Sequence, residues 1–265
     1  MHHFNSGGID IAYLDEDPGE GVGEGRRGRT GAPILLIHGF ASNARINWVG
    51  TGWVQALRQA GRRVIAYDNR GHGESEKLYD PTFYEAPMMA EDARRLLDHL
   101  EIPCADVMGY SMGARIAAFL AIQHPERVGG LVFGGLGIAM VRGVGDPEPV
   151  IRAFEAPRLE DVSESGPRTF RKFAETSKGD LKALAACMRS ARRRITEEQI
   201  ASLTHRALVA VGAGDQIAGS AEELAALIAN AETLIIPGRD HMSATGDKVF
   251  KQGVLKFFAA SALGK

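Results

Sequence analysis

Ser111 stands at the centre of Gly109-Tyr110-Ser111-Met112-Gly113, and this is the stretch whose residue types and spacing point most directly to chemistry. An apolar run at 105–109 precedes it, and an alanine-rich stretch at 114–123 that reads as a helix follows. In the order strand, sharp turn, helix, G-x-S-x-G is a nucleophile elbow: the flanking glycines let strand and helix approach closely while the serine is held exposed at the turn. A five-residue match also arises by chance, and a serine there reads equally well as a helix cap. Partners further along the chain decide between the two.

The elements that must position Ser111 and its partners alternate along the chain. A strand is expected near 8–13 and a buried one over 33–37, where a continuous apolar run ends in His38-Gly39-Phe40. Trp53, Val54, Leu57 and Ala60 recur at helical spacing up to Gly61, and 63–67 reads as the next strand. The polar loop Asp68-Asn69-Arg70-Gly71-His72-Gly73-Glu74-Ser75 follows, in which Asp68 and His72 read as loop-shaping residues. A helix after Pro87 turns Met89, Ala93, Leu96 and Leu97 to the core and leaves His99 near the surface. Strands are expected again at 128–133, 207–211 and 233–236, with helices at 221–229 and 249–259. Between 138 and 204 no strand stands out; helical pieces at 150–155, 169–177 and 181–194 predict an inserted cap. Its arginines, Arg152, Arg168, Arg171 and Arg192 to Arg194, interleave with acids and read as solvated faces, with one or two within reach of a ligand.

The fold class is therefore α/β: a mostly parallel central sheet flanked by helices, since alternating strands and helices pair in parallel through right-handed crossovers. Residues 1–137 and 205–265 form the core and 138–204 the helical cap. Phe40, Ser111, Met112, Asp215 and His241 all fall just past strand C-termini, the edge at which open α/β sheets bind ligands.

Composition removes other classes. With 265 residues, 45% of them hydrophobic and 24% charged, the chain is long enough for one large domain. A net charge of -2 supplies no basic field for nucleic acid or a membrane surface. Cys104 and Cys187 have no metal-like spacing and the start has no signal-peptide layout, so a cytoplasmic, reduced protein without metal or cofactor is expected. Gly23 to Gly28 matches the dinucleotide fingerprint G-x-G-x-x-G, but a strand rather than a helix follows, so it reads as a surface connection.

Ser111, Asp215 and His241 run in the order nucleophile, acid, base, and with His38-Gly39-Phe40, the 68–75 loop, the cap and Asp240-His241 the chain resembles the α/β-hydrolase-fold superfamily over nearly its full length. The resemblance implies a serine hydrolase of esterase, lipase or haloperoxidase type. His241 would take the proton of Ser111 and return it to the leaving group, while Asp215 holds the imidazole tautomer. The backbone N–H of Met112 supplies one oxyanion donor, and the resemblance places the Phe40 N–H as the other. A small-molecule acyl substrate is the implied partner. Gly109 to Arg115 also resembles the elbow of a menaquinone-pathway synthase, which would give Arg115 a carboxylate to bind. Carbon-carbon hydrolases and cofactor-free haloperoxidases share the triad, and a ligand receptor without turnover is the remaining alternative.

Overall fold

The computed structural model describes residues 1–18, 31–190 and 194–261. The glycine-rich connection expected at 19–32 lies largely outside these residues, as does the fingerprint match at 23–28. Two strands open the chain, β1 (His2–Ser6) and β2 (Ile9–Glu16), followed by β3 (Ile34–Ile37), α1 (Trp53–Gln59), β4 (Val64–Tyr67), α2 (Ala86–His99), β5 (Ala105–Tyr110), α3 (Met112–Gln123) and β6 (Val128–Gly134). The sheet order is β1-β2-β4-β3-β5-β6-β7-β8, with β7 at Ala207–Gly212 and β8 at Ala231–Ile236. From β4 to β8 every pairing is parallel; β1 and β2 add an antiparallel edge that alternation of strands and helices did not indicate.

The unbroken apolar run in β3 is explained by cover on both faces. Leu35 and Ile37 join the layer containing α2 and α3, whereas Ile34 and Leu36 join the layer containing α1 and the last helix. A strand exposed on one face would alternate with polar residues. On the first of these layers Arg70 and Asp92, 2% and 1% exposed, form a two-pronged ion pair, and the Ser6 hydroxyl donates to the same carboxylate. This buried pair ties the loop after β4 to α2 and to the edge strand.

Between β6 and β7 the elements among the described residues are helical: α4 (Ala139–Arg142), α5 (Glu148–Glu155), α6 (Ser165–Thr176), α7 (Leu181–Ser190) and α8 (Glu197–Ala201). The helix expected over 181–194 is described as far as Ser190, and Arg194 is not helical; residues 191–193 lie outside the described residues. A capping box opens a new helix at this point, with the Thr196 hydroxyl accepting from Gln199 N–H and the Gln199 side chain accepting from Thr196 N–H. Arg171 departs from the solvated face expected of it. It is 5% exposed and donates to the carbonyls of Ala153, Phe154 and Ala156, answering the orphan acceptors at the end of α5. After β7 come α9 (Ala221–Ala226), β8 and α10 (Lys248–Ser261).

Candidate active site

The elbow is built by close approach. A Cβ on Gly109 would overlap Gly113 O, and one on Gly113 would overlap Ile37 O, so both flanking positions exclude any side chain. Ser111 itself takes φ 54° and ψ -112°, a conformation that costs a non-glycine residue about 1–3 kcal/mol. That strain is held by the Ser111 N–H, which donates to Gly134 O at 2.8 Å on the neighbouring strand. The serine is thereby lifted off the end of β5 toward the loops from other strands.

Two of those loops meet it. His241 Nε2 lies 3.0 Å from Ser111 Oγ, and His241 Nδ1 lies 2.8 Å from Asp215 Oδ2. The second carboxylate oxygen, Oδ1, accepts from the N–H groups of Ile217 and Ala218 at 2.9 and 3.0 Å, which fixes the carboxyl plane. With Nδ1 facing a carboxylate, the tautomer that carries the proton on Nδ1 leaves Nε2 free to accept from the serine. Asp240, the sequence neighbour of His241, instead caps its own turn: Oδ1 accepts from Met242 N–H, Ser243 N–H and the Ser243 hydroxyl. The hydroxyl contributes most to holding its carboxyl below the usual carboxylate range.

Phe40 and Met112, the expected oxyanion donors, border one cavity together with Ser111. Their N–H groups enter no hydrogen bond among the described residues: Met112 opens α3, where first-turn donors are orphans, and Phe40 follows the end of β3. The loop carrying Phe40 is fastened from beneath. His38 Nδ1–H donates to Gly39 O at 2.7 Å, His38 Nε2 accepts from Asn69 N–H at 2.9 Å, and Asn47 Oδ1 accepts from Gly39 N–H at 3.1 Å. His72 packs beside His38 and edge-on to Phe40, and its Nδ1 donates to Arg70 O. Burial depresses both rings, His38 to about 4 and His72 to about 3, so both are neutral at pH 7. Asp68 binds the N–H groups of Ala44 and Glu74 and shapes its loop, as its sequence context suggested.

Two cavities flank the serine. A larger one of about 460 Å³ lies under the helical insertion, lined by Met112, Arg115, Leu136, Val150, Met188 and Ile217 among others. A smaller one of about 120 Å³ is lined by Gly39, Asn47, Thr51, Tyr110, Phe173 and Met242 among others. Phe40, Ser111, Phe170 and His241 border both. Of the other apolar candidates, Trp48 and Met140 are core residues and Phe154 stacks on Phe40. Arg115 is neither a surface residue nor remote from the serine: it is 4% exposed, donates to Met140 O and Ala139 O, and borders the larger cavity.

Sequence reasoning passed over Tyr110 and Asn47. The Tyr110 hydroxyl donates to His241 O at 2.5 Å, and Asn47 sits in a π-helical turn, Arg45–Val49, that no periodicity announced.

Comparison with known proteins bears on the fold. A family model described as alpha/beta hydrolase fold matches residues 32–186. A 2-hydroxymuconate semialdehyde hydrolase of Pseudomonas sp. (strain CF600) is 41% identical over 105 residues, which is 40% of this chain and 36% of that relative. Over that stretch the chain spans about a third of the relative's length. Among solved structures, a hydrolase from Pseudomonas aeruginosa PA01 superposes with a TM-score of 0.72 at 26% identity, covering 97% of each chain. A bromoperoxidase from Bacillus anthracis gives 0.75 at 25% identity, covering 94% of this chain and 95% of its own.

Proposed function

Because the chain belongs to the alpha/beta hydrolase fold family, we propose that it is a serine hydrolase that cleaves a small carboxylic ester or related acyl compound through an acyl-enzyme. The observation that carries this reading is the unbroken chain of contacts Asp215–His241–Ser111 at 2.8 and 3.0 Å, beside the N–H groups of Phe40 and Met112, which enter no hydrogen bond among the described residues. Ser111 Oγ attacks the acyl carbon as His241 Nε2 takes its proton; the carbonyl oxygen becomes an oxyanion held by the N–H groups of Phe40 and Met112. The carbon–oxygen bond to the leaving group then breaks, and His241 returns the proton to it. Water, deprotonated by the same imidazole, releases the acid and restores the serine hydroxyl. Asp215 keeps its charge throughout and stabilises the imidazolium.

A cytoplasmic setting and a small-molecule substrate, with no nucleic acid or membrane partner, belong to the same proposal. No helix among the described residues is long and apolar enough to cross a membrane. A second reading, hydrolysis of a carbon-carbon bond, draws on the 41% identical stretch shared with the semialdehyde hydrolase. Labelling with a serine-directed fluorophosphonate, run beside a panel of chromogenic esters, tests the main reading. The wild type is labelled and turns esters over, and Ser111→Ala remains folded but loses the label and nearly all turnover. Unchanged turnover in that variant removes the mechanism; labelling without turnover of any ester favours the carbon-carbon reading.

A further inference from the structure

The loop that carries the Phe40 N–H closes as a four-residue turn, with Ser42 N–H donating to Gly39 O at 3.3 Å. Its third residue, Ala41, has φ 59°, the sign that a type II turn demands there and that glycine ordinarily supplies. An alanine stays left-handed only where its surroundings hold it. From the core side, His38 Nδ1–H holds Gly39 O at 2.7 Å, and because the peptide is trans the Phe40 N–H in the same plane is aimed the other way. The hold on Ala41 comes from elsewhere.

The helical insertion supplies it. Ala41 is 1% exposed and packs in a cluster whose other buried members among the described residues all lie between 151 and 188, and Phe154 from that cluster stacks on Phe40. Ser177 adds a polar contact: its buried hydroxyl donates to Ala41 O at 2.7 Å. Ala174 O, at 2.9 Å, is the rival acceptor within α6. The helix end does not need that hydroxyl. Lys178, with φ 55°, and Gly179 close it as a Schellman motif, in which Lys178 N–H donates to Glu175 O at 3.0 Å and Gly179 N–H to Ala174 O at 2.8 Å. Spacing on α6 explains where Ser177 arrives. Phe170, Phe173 and Ser177 stand at i, i+3 and i+7, so the helix face that borders the smaller cavity with two aromatic rings ends on the loop of Phe40.

We infer, resting on the serine-hydrolase reading, that Ser177 is a positioning residue for acyl transfer: through Ala41 O it fastens the turn that aims the Phe40 N–H at the developing oxyanion. Docking of the helical insertion on the core then completes the oxyanion site as well as covering it. Without the Ser177 hydroxyl, Ala41 is free to relax toward the right-handed region, the turn loosens, and the donor shifts from the place where negative charge develops. The ground-state ester needs that donor less and binds nearly as before, so the loss falls on the chemical step.

Ser177→Ala tests this, beside Ser177→Thr and Ser177→Val, two side chains of like shape that differ in the hydroxyl alone. Expected for Ser177→Ala is a fall in kcat of about fivefold, the value of one hydrogen bond, with KM on a short ester changed by less than about twofold. A trifluoromethyl ketone, which Ser111 converts to a tetrahedral oxyanion, should lose affinity by the same factor, measured as its inhibition constant. The trifluoromethyl alcohol of the same skeleton forms no oxyanion and should bind as it does to the wild type. Ser177→Thr should stay within about twofold of wild type, while Ser177→Val follows Ser177→Ala. If the alanine variant does not fold, the ratio between Thr and Val carries the same test. An unchanged kcat, or a loss carried by KM with ketone and alcohol weakened alike, overturns the inference and makes Ser177 a packing residue of the insertion. So does a threonine variant as impaired as the valine one. Failure of phosphonate labelling and of all ester turnover in the wild type would instead remove the serine-hydrolase reading itself, and this inference with it.

Discussion

The hydroxyl of Tyr110 donates to the main-chain oxygen of His241 at 2.5 Å, so the residue before Ser111 also holds the loop that presents the imidazole. Burial pushes the Tyr110 phenol up, which keeps it protonated and a donor at neutral pH. Its ring packs against Phe250 and the His241 ring, so removing the oxygen alone leaves the packing in place.

Tyr110→Phe should therefore lower kcat about fivefold, the equivalent of one hydrogen bond, with a smaller change in KM. Steady-state kinetics on a short ester measures both. An effect confined to KM would place Tyr110 in substrate binding rather than in positioning His241.

Asp215 and Asp240 compete for the role of triad acid, and only Asp215 reaches the imidazole. Asp215→Asn keeps the shape but removes the charge and favours the wrong tautomer, a change that costs on the order of 10⁴ in turnover. Asp240→Asn should cost less than about tenfold, because the turn with Ser243 keeps most of its hydrogen bonds. Turnover of both variants, after circular dichroism shows that each is folded, decides the matter; a larger loss at Asp240 reverses the assignment.

The buried pair His38 and His72 makes stability depend on pH. Burial lowers both folded-state values, to about 4 and about 3, while an unfolded histidine titrates near 6.5. Between these values the unfolded chain binds more protons, so the contribution is fully present above about pH 6.5 and is lost as pH falls toward 4. Each ring adds a slope of about 1.4 kcal/mol per pH unit in that window. Urea melts at pH 7.0, 6.0 and 5.0 should show the fall, and His72→Gln should remove about half of the slope. A slope unaltered by that change would assign the acid sensitivity to other groups.

Arg70 and Asp92 are buried together, and breaking the pair leaves one charge stranded. Asp92→Ala should destabilise the protein by about 3–5 kcal/mol, read from denaturant midpoints, whereas the double change Arg70→Met, Asp92→Leu should cost less. Equal costs would mean that the loss comes from packing and not from the unpaired guanidinium.

The sequence by itself determined whatever is written in local pattern. The run at β3 declared a strand buried on both faces, and glycines on either side of Ser111 declared the sharp turn between β5 and α3, because a side chain at either place would overlap backbone. The order of the candidate nucleophile, acid and base, together with a parallel sheet, assigns Asp215 and His241 to one edge. Arg171 shows where local pattern stops. Its helix turns it toward the end of α5, and only the packing of those two helices converts an apparently solvated arginine into a buried cap. Arg115 was likewise undecidable between surface and pocket until the turn at Ala139 and Met140 supplied the carbonyls that hold it under the helical insertion. The antiparallel edge β1 and the hold of Tyr110 on His241 were also set by tertiary structure alone. Periodicity reports which face of an element is apolar, but a hydrogen bond between residues 131 apart in sequence depends on how β5 and the loop after β8 are laid side by side, and no spacing along the chain encodes that.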